Sequence, residues 1–342
     1  MDVTTILMAL MLLVAGWWFA GVVRRATARV QERRSVPVVA IDLAPHHIHA
    51  IESLESGDPE PMVEVLFRDV ATTERHYLLQ RMAERMDADV VRAWVDRVPE
   101  SPAARILAAA VELQAALDAR GAGTADTVSE EGGSLFIRHA ALAEDHARAV
   151  TESDPDDPIP WLILMRTAFA LSGDLEEHTQ RYRQAAARAP DSWAVHHTAL
   201  LAASERWFGS FGVALELARA AGRGRPESPL SLMVIRAHLM RWEYLSYFEE
   251  DDEAADAYWD RRDVIEEVQR AFDAFIDQVP DGMDGALARS VAAGWFALRG
   301  DEERLVRAFG DDPVYFEREW QIFGGEKAYR QARLWAAEAS AA

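Results

Sequence analysis

The sequence predicts an all-α protein, one apolar amino-terminal helix followed by a long array of paired helices. Three observations carry this. Apolar residues recur at spacings of three and four along most of the chain after residue 45. Prolines fall at intervals that hold two helices each. No series of alternating strand patterns occurs.

The first element is the uncharged run Val3 to Val23. At the helical rise it spans roughly 31 Å, enough to cross a hydrocarbon core of about 30 Å once. A cleaved signal peptide wants a basic start, a shorter apolar core and a small-residue cleavage site. This chain starts with Asp2 and runs through Trp17 and Trp18 into Arg24 and Arg25, so residues 1–23 read as an uncleaved anchor. A secreted domain after cleavage is the reading that this disfavours. Arg24, Arg25, Arg29, Arg33 and Arg34 follow the span and no basic residue precedes it. Basic residues close to a span stay on the cytoplasmic side. The expectation is a single-pass protein of the inner (plasma) membrane with a cytoplasmic body, Trp17 and Trp18 lying at the interface and the arginines touching head groups.

Residues 24–44 form this basic collar and a linker. Ser35 to Asp42 is a short apolar connector that reads as packed extended chain, since no partner strand is evident. From Ser35 onward 31 basic residues face 55 acidic ones, a net charge of −24. Such a body is repelled by nucleic acid and by anionic lipid, so the expected partner is a protein, preferably a basic one.

Residues 45–342 form the helical-repeat region, with a sub-boundary near 249–260. Ile106, Ala110, Val111, Leu113 and Leu117 make one amphipathic stripe, and Ile265, Val268, Phe272, Phe275 and Val279 another. Pro155, Pro190 and Pro226 lie 35 and 36 residues apart. Proline is tolerated at helix starts and breaks interiors, so this spacing marks two-helix units. Trp161, Leu164, Tyr182, Ala185 and Pro190 resemble the tetratricopeptide pattern, with Met165 where a small Gly is expected. The fold expected is therefore a tetratricopeptide-like α-solenoid of antiparallel pairs.

A second resemblance covers roughly Pro45 to Trp242. The blocks Asp157-Pro158-Ile159-Pro160-Trp161, Arg188-Ala189-Pro190, Arg206-Trp207-Phe208-Gly209-Ser210 and Ser228-Pro229-Leu230, followed by Ala237-His238 and Trp242, look like a family of helical-repeat proteins from actinobacteria with no assigned activity. That family usually has His after the Gly-Ser step, where this chain has Phe211. The resemblance implies the fold and no reaction.

Gly121 to Gly133 reads as a loop between helices. Glu249 to Glu253 is a run of five acids, read as a solvated linker or helix start, with a docking tail for a basic partner as the alternative. Helices are expected near Val264–Val279, Ala286–Leu298 and Glu326–Ala339, with a turn at Asp311-Asp312-Pro313.

The chain has no cysteine, which excludes disulfides, thiolate metal sites and a Cys nucleophile. No nucleophile elbow, phosphate loop or paired metal-binding His motif occurs, so no catalytic residue, cofactor or metal is assigned. His139 and His146 share a face, but two turns separate them by about 10 Å, too far for one ion. His46-His47-x-His49 lacks a carboxylate at a matching offset. His238 reads as a buried His satisfied by a backbone carbonyl. Gly209 suits a tight turn, and Ser210 suits the cap of the next helix. Of eleven tryptophans nine lie beyond the anchor, most of them expected in the core and a few in a partner groove.

The function that fits is a membrane-anchored scaffold binding a protein through a concave face. The alternative is a small-ligand receptor or enzyme with a His/carboxylate pocket inside the superhelix. The candidate groove or pocket residues are His139, His146, Trp207, Ser210, His238 and Trp242.

Overall fold

The computed structural model describes residues 38–121, 127–171, 174–310, 314–316 and 319–340. The expected anchor, with Trp17, Trp18, Arg24, Arg25, Arg29, Arg33 and Arg34, lies outside these residues, as does the Asp311-Asp312-Pro313 turn. Among the described residues there is no strand, and no helix is long and apolar enough to cross a membrane.

The helices are α1 (Pro45–Glu55), α2 (Glu60–Leu66), α3 (Thr72–Ala83), α4 (Ala88–Arg97), α5 (Pro102–Arg120), α6 (Glu130–Ser153), α7 (Pro158–Leu171), α8 (Leu175–Arg188) and α9 (Trp193–Ala202). They continue as α10 (Phe211–Gly222), α11 (Met233–Tyr247), α12 (Asp252–Trp259), α13 (Arg262–Phe275), α14 (Met283–Arg299), α15 (Glu302–Phe309), α16 (Glu319–Ile322) and α17 (Gly325–Ser340). Two helices lie between Pro155 and Pro190, and two between Pro190 and Pro226, as the proline spacing predicts.

Local signals start many of them. Asp87, Ser101, Ser129, Asp174, Ser192, Ser210, Asp251 and Asp301 each accept a backbone N–H from the first turn of the helix they cap. Ser129 moves the start of α6 into the segment expected to be loop: Glu130 to Gly133 are helical, and Glu130 and Glu131 complement the helix dipole. The acidic run is a helix start too. Asp251 caps α12 by accepting from Ala254 N at 2.9 Å, and Asp252 and Glu253 fill its first turn.

From α4 through α12 each helix packs on the next, and close contacts also run through α5, α7, α9, α11 and α14 in that order. Helix α3 lies against α5, α7, α9 and α14. Its polar residues grip what it crosses. Arg75 makes a two-pronged ion pair with Asp157 at the start of α7 (2.9 and 2.8 Å), and Thr73 bonds Ser192, the cap of α9, at 2.9 Å. Leu79, Met82 and Ala83 enter the core that α4, α5 and α6 share.

A second core joins Trp193 and Leu200 to Leu239, Tyr258, Phe272, Trp295 and Tyr329, and so spans both sides of residues 249–260. Trp94, Trp193, Trp295 and Trp320 are buried in these cores, and the other described tryptophans are half-buried. The apolar connector ends in extended chain, where Val39 O accepts the N–H of Phe316 at 2.7 Å.

Candidate functional site

The Trp207, Ser210, His238 and Trp242 neighbourhood is the part of the expected site that the structure assembles. It begins with the turn from α9 into α10. Phe208 N donates to Ala202 O and Gly209 N to Ser204 O, folding the chain back so closely that a Cβ on Gly209 collides with the backbone of Ala203. Glycine is required there. Ser210 then caps α10, accepting from Val213 N at 3.4 Å.

Trp207 faces inward onto Phe169 of α7, with ring centres 4.5 Å apart, while the guanidinium of Arg120 lies 5.6 Å above it. Phe208 stacks on Phe169 at 5.9 Å and lies 6.3 Å from His178. Burial and the nearby charge of Arg181 push His178 down to about 4, so it is neutral at physiological pH.

On the outside of this turn, arginine and aromatic side chains alternate. Arg206 lies 5.0 Å over Phe248, Phe248 stacks on Tyr244 at 5.7 Å, and Arg241 sits 6.0 Å from Tyr244 and 5.8 Å from Phe211. Such contacts are worth about 0.5–1 kcal/mol each at exposed sites. Glu205 takes Arg241, and Glu243 takes Arg206 at 3.6 Å. Burial raises the Glu205 carboxyl despite Arg241, and a hydrogen bond to Glu249 raises the Tyr244 phenol. Tyr247 and Phe248 remain exposed at the end of the row, at 56% and 37%.

Phe211 links this edge to the interior, meeting His238 at 6.0 Å and Tyr258 edge-on at 5.7 Å. His238 is buried, and the sequence expectation of a backbone carbonyl partner does not hold. Its Nε2 donates to Glu267 at 3.1 Å, and its Nδ1 lies 2.6 Å from the Tyr258 hydroxyl. The Tyr258 hydroxyl can donate to or accept from Nδ1, so both ring nitrogens are satisfied. Glu267 is held in turn by Arg219 at 2.7 and 2.9 Å. The bonds from His238 and Arg219 outweigh burial and hold the Glu267 carboxyl down at about 2; burial pushes the Tyr258 phenol up. Trp242, half-buried, packs on Trp259 at 5.3 Å, which packs on Trp295 at 4.5 Å.

His139 and His146 lie elsewhere. Both sit on α6 toward Glu112 of α5: His139 Nδ1 is 2.6 Å from the Glu112 carboxylate, and burial together with Arg105 lowers His146. They do not join His238 in one pocket. Sequence reasoning missed Glu267, Tyr258 and Arg219, because nothing local separates them from the many other acids and arginines. Among the described residues no group of three or more His, Asp or Glu is placed to hold a metal ion.

Two cavities accompany these features. One of about 320 Å3 is lined by Arg219, Glu267, Arg223 and Arg270. A larger one of about 400 Å3 lies between the 40–47 segment, α3, Met283 and Tyr315. No protein-family model, no curated protein and no solved structure matches this chain.

Proposed function

We propose that the chain is a membrane-anchored scaffold, a tetratricopeptide-like α-solenoid that holds a protein partner. The run of contacts through α5, α7, α9, α11 and α14 supports a concave inner row, and helix α3 already lies across it. The partner surface is then the arginine–aromatic edge, and this edge is the observation that carries the reading. Exposed Tyr247 and Phe248 beside Tyr244, Arg206 and Arg241 have the composition of an interface centre. Glu249 and Glu250 follow directly, so a basic partner is favoured. The anchor reading rests on residues 1–23 and their arginine collar, and places the scaffold on the cytoplasmic face of the plasma membrane.

The test is in-cell crosslinking from a photoreactive residue at Tyr247, with Ile137 on α6 as an exposed control, followed by mass spectrometry. The expected result is one reproducible partner from position 247 that is lost when Phe248→Ala and Arg206→Glu are added. Identical capture from both positions, or none from either, overturns the reading. A small-ligand receptor is the second reading, favoured by the 400 Å3 cavity, which lies within the range of known ligand sites.

A further inference from the structure

The larger cavity has a divided lining. Leu66, Leu79, Met82 and Met283 are all buried apolar side chains, contributed by α2, α3 and the start of α14. Arg68, Arg75, His46, Glu74 and Asp42 supply its polar groups. Their pairing is uneven. Asp42 meets Arg85 at 3.2 Å. Arg75 gives both terminal nitrogens to Asp157, yet its Nε–H is buried with no acceptor. Arg68 donates to His46 Nε2 at 2.9 Å, with no carboxylate within ion-pair distance among the described residues.

We propose that this cavity binds a single-chain amphiphile with an acidic head, resting on the small-ligand reading above. The tail lies against Leu66, Leu79, Met82 and Met283, where burial of apolar surface drives binding. The head accepts from Arg68, which has no carboxylate partner among the described residues. Glu74 shares the lining and repels the head, so a single negative charge fits better than two. A ligand amine would meet Glu74 and an Asp42 already paired with Arg85, and would face both arginines.

The test uses the full chain in amphipol and equilibrium dialysis with dodecanoate, methyl dodecanoate and dodecylamine. Dodecanoate is expected to saturate at one per chain, with the ester and the amine at least tenfold weaker. Exposed Arg68→Glu is expected to weaken dodecanoate at least tenfold, and half-buried Val70→Trp to abolish uptake by filling the cavity, both with unchanged thermal melting. Equal binding of acid and ester, or better binding of the amine, sinks the acidic head while leaving a small-ligand site standing. Absence of saturable binding for all three probes, or uptake unaffected by Val70→Trp, sinks the cavity reading itself.

Discussion

Thr73 Oγ1 donates to Asp284 Oδ1 at 2.6 Å, across 211 positions of sequence. The same Asp284 oxygen accepts the backbone N–H of Trp193 at 2.6 Å, so one half-buried carboxylate joins α3 to the starts of α9 and α14. Asp284→Ala removes the acceptor of a buried N–H, and the expected loss is about 1–3 kcal/mol in urea unfolding. Asp284→Asn keeps an oxygen in place and is expected to lose less. Equal stability of Asp284→Ala and the parent contradicts this role.

Glu267 gives the fold an acid-sensitive link. Its folded pKa of about 2 lies below the ordinary 4.5, so its stabilisation is complete above pH 4.5 and is lost as pH falls toward 2. Urea midpoints at pH 6 and pH 3.5 are expected to fall further apart for the parent than for Glu267→Gln. Asp284 runs the other way. Burial raises its pKa, so that group favours the fold less as pH rises past its ordinary value.

Two nearby glycines are expected to behave oppositely. Gly209→Ala drives a methyl group into the Ala203 backbone and is expected to cost about 1–3 kcal/mol. Gly212, in the first turn of α10, has only Ser210 Oγ at 4.0 Å in the way. Gly212→Ala is expected to gain about 0.4–1 kcal/mol by restricting the unfolded chain. Thermal melting of the two variants checks the sign of each.

Glu144 and Arg181 test a buried pair. Arg181 donates to both Glu144 oxygens at 2.7 and 3.1 Å and to Leu164 O at 2.5 Å, while Thr167 donates to the same carboxylate at 2.8 Å. Arg181→Met strips the main cation from Glu144 and is expected to cost about 3–5 kcal/mol. Adding Glu144→Gln is expected to recover much of it, read as coupling in a double-mutant cycle. Additive losses refute the coupling.

The helices were legible because their signals are local. The 3.6-residue stripe of Ile265, Val268 and Phe272 and the cap at Ser210 each need only a few neighbouring residues. The placement of α3 was not legible. It buries Thr73 and His76 beside Leu79 and Met82, a mixed face without a strong apolar stripe, and its partners are as distant as Asp284. The candidate residues separated for the same reason: Ser210 and Gly209 act within their own turn, whereas the work of His238 depends on Tyr258 and Glu267, 20 and 29 residues away. Trp207 illustrates the limit of composition, because only the fold says that it faces Phe169 and Arg120 rather than a partner.

The clasp between Val39 and Phe316 has a mechanical consequence. An open stack of repeats frays from its ends, each unit peeling with only its neighbour to hold it. Here the chain just ahead of α1 is hydrogen-bonded to the chain between α15 and α16, so the amino-terminal part of the described residues is tied directly to the carboxyl-terminal part. A pull arriving from the amino-terminal side therefore reaches the segment ahead of α16 through this bond as well as along the chain.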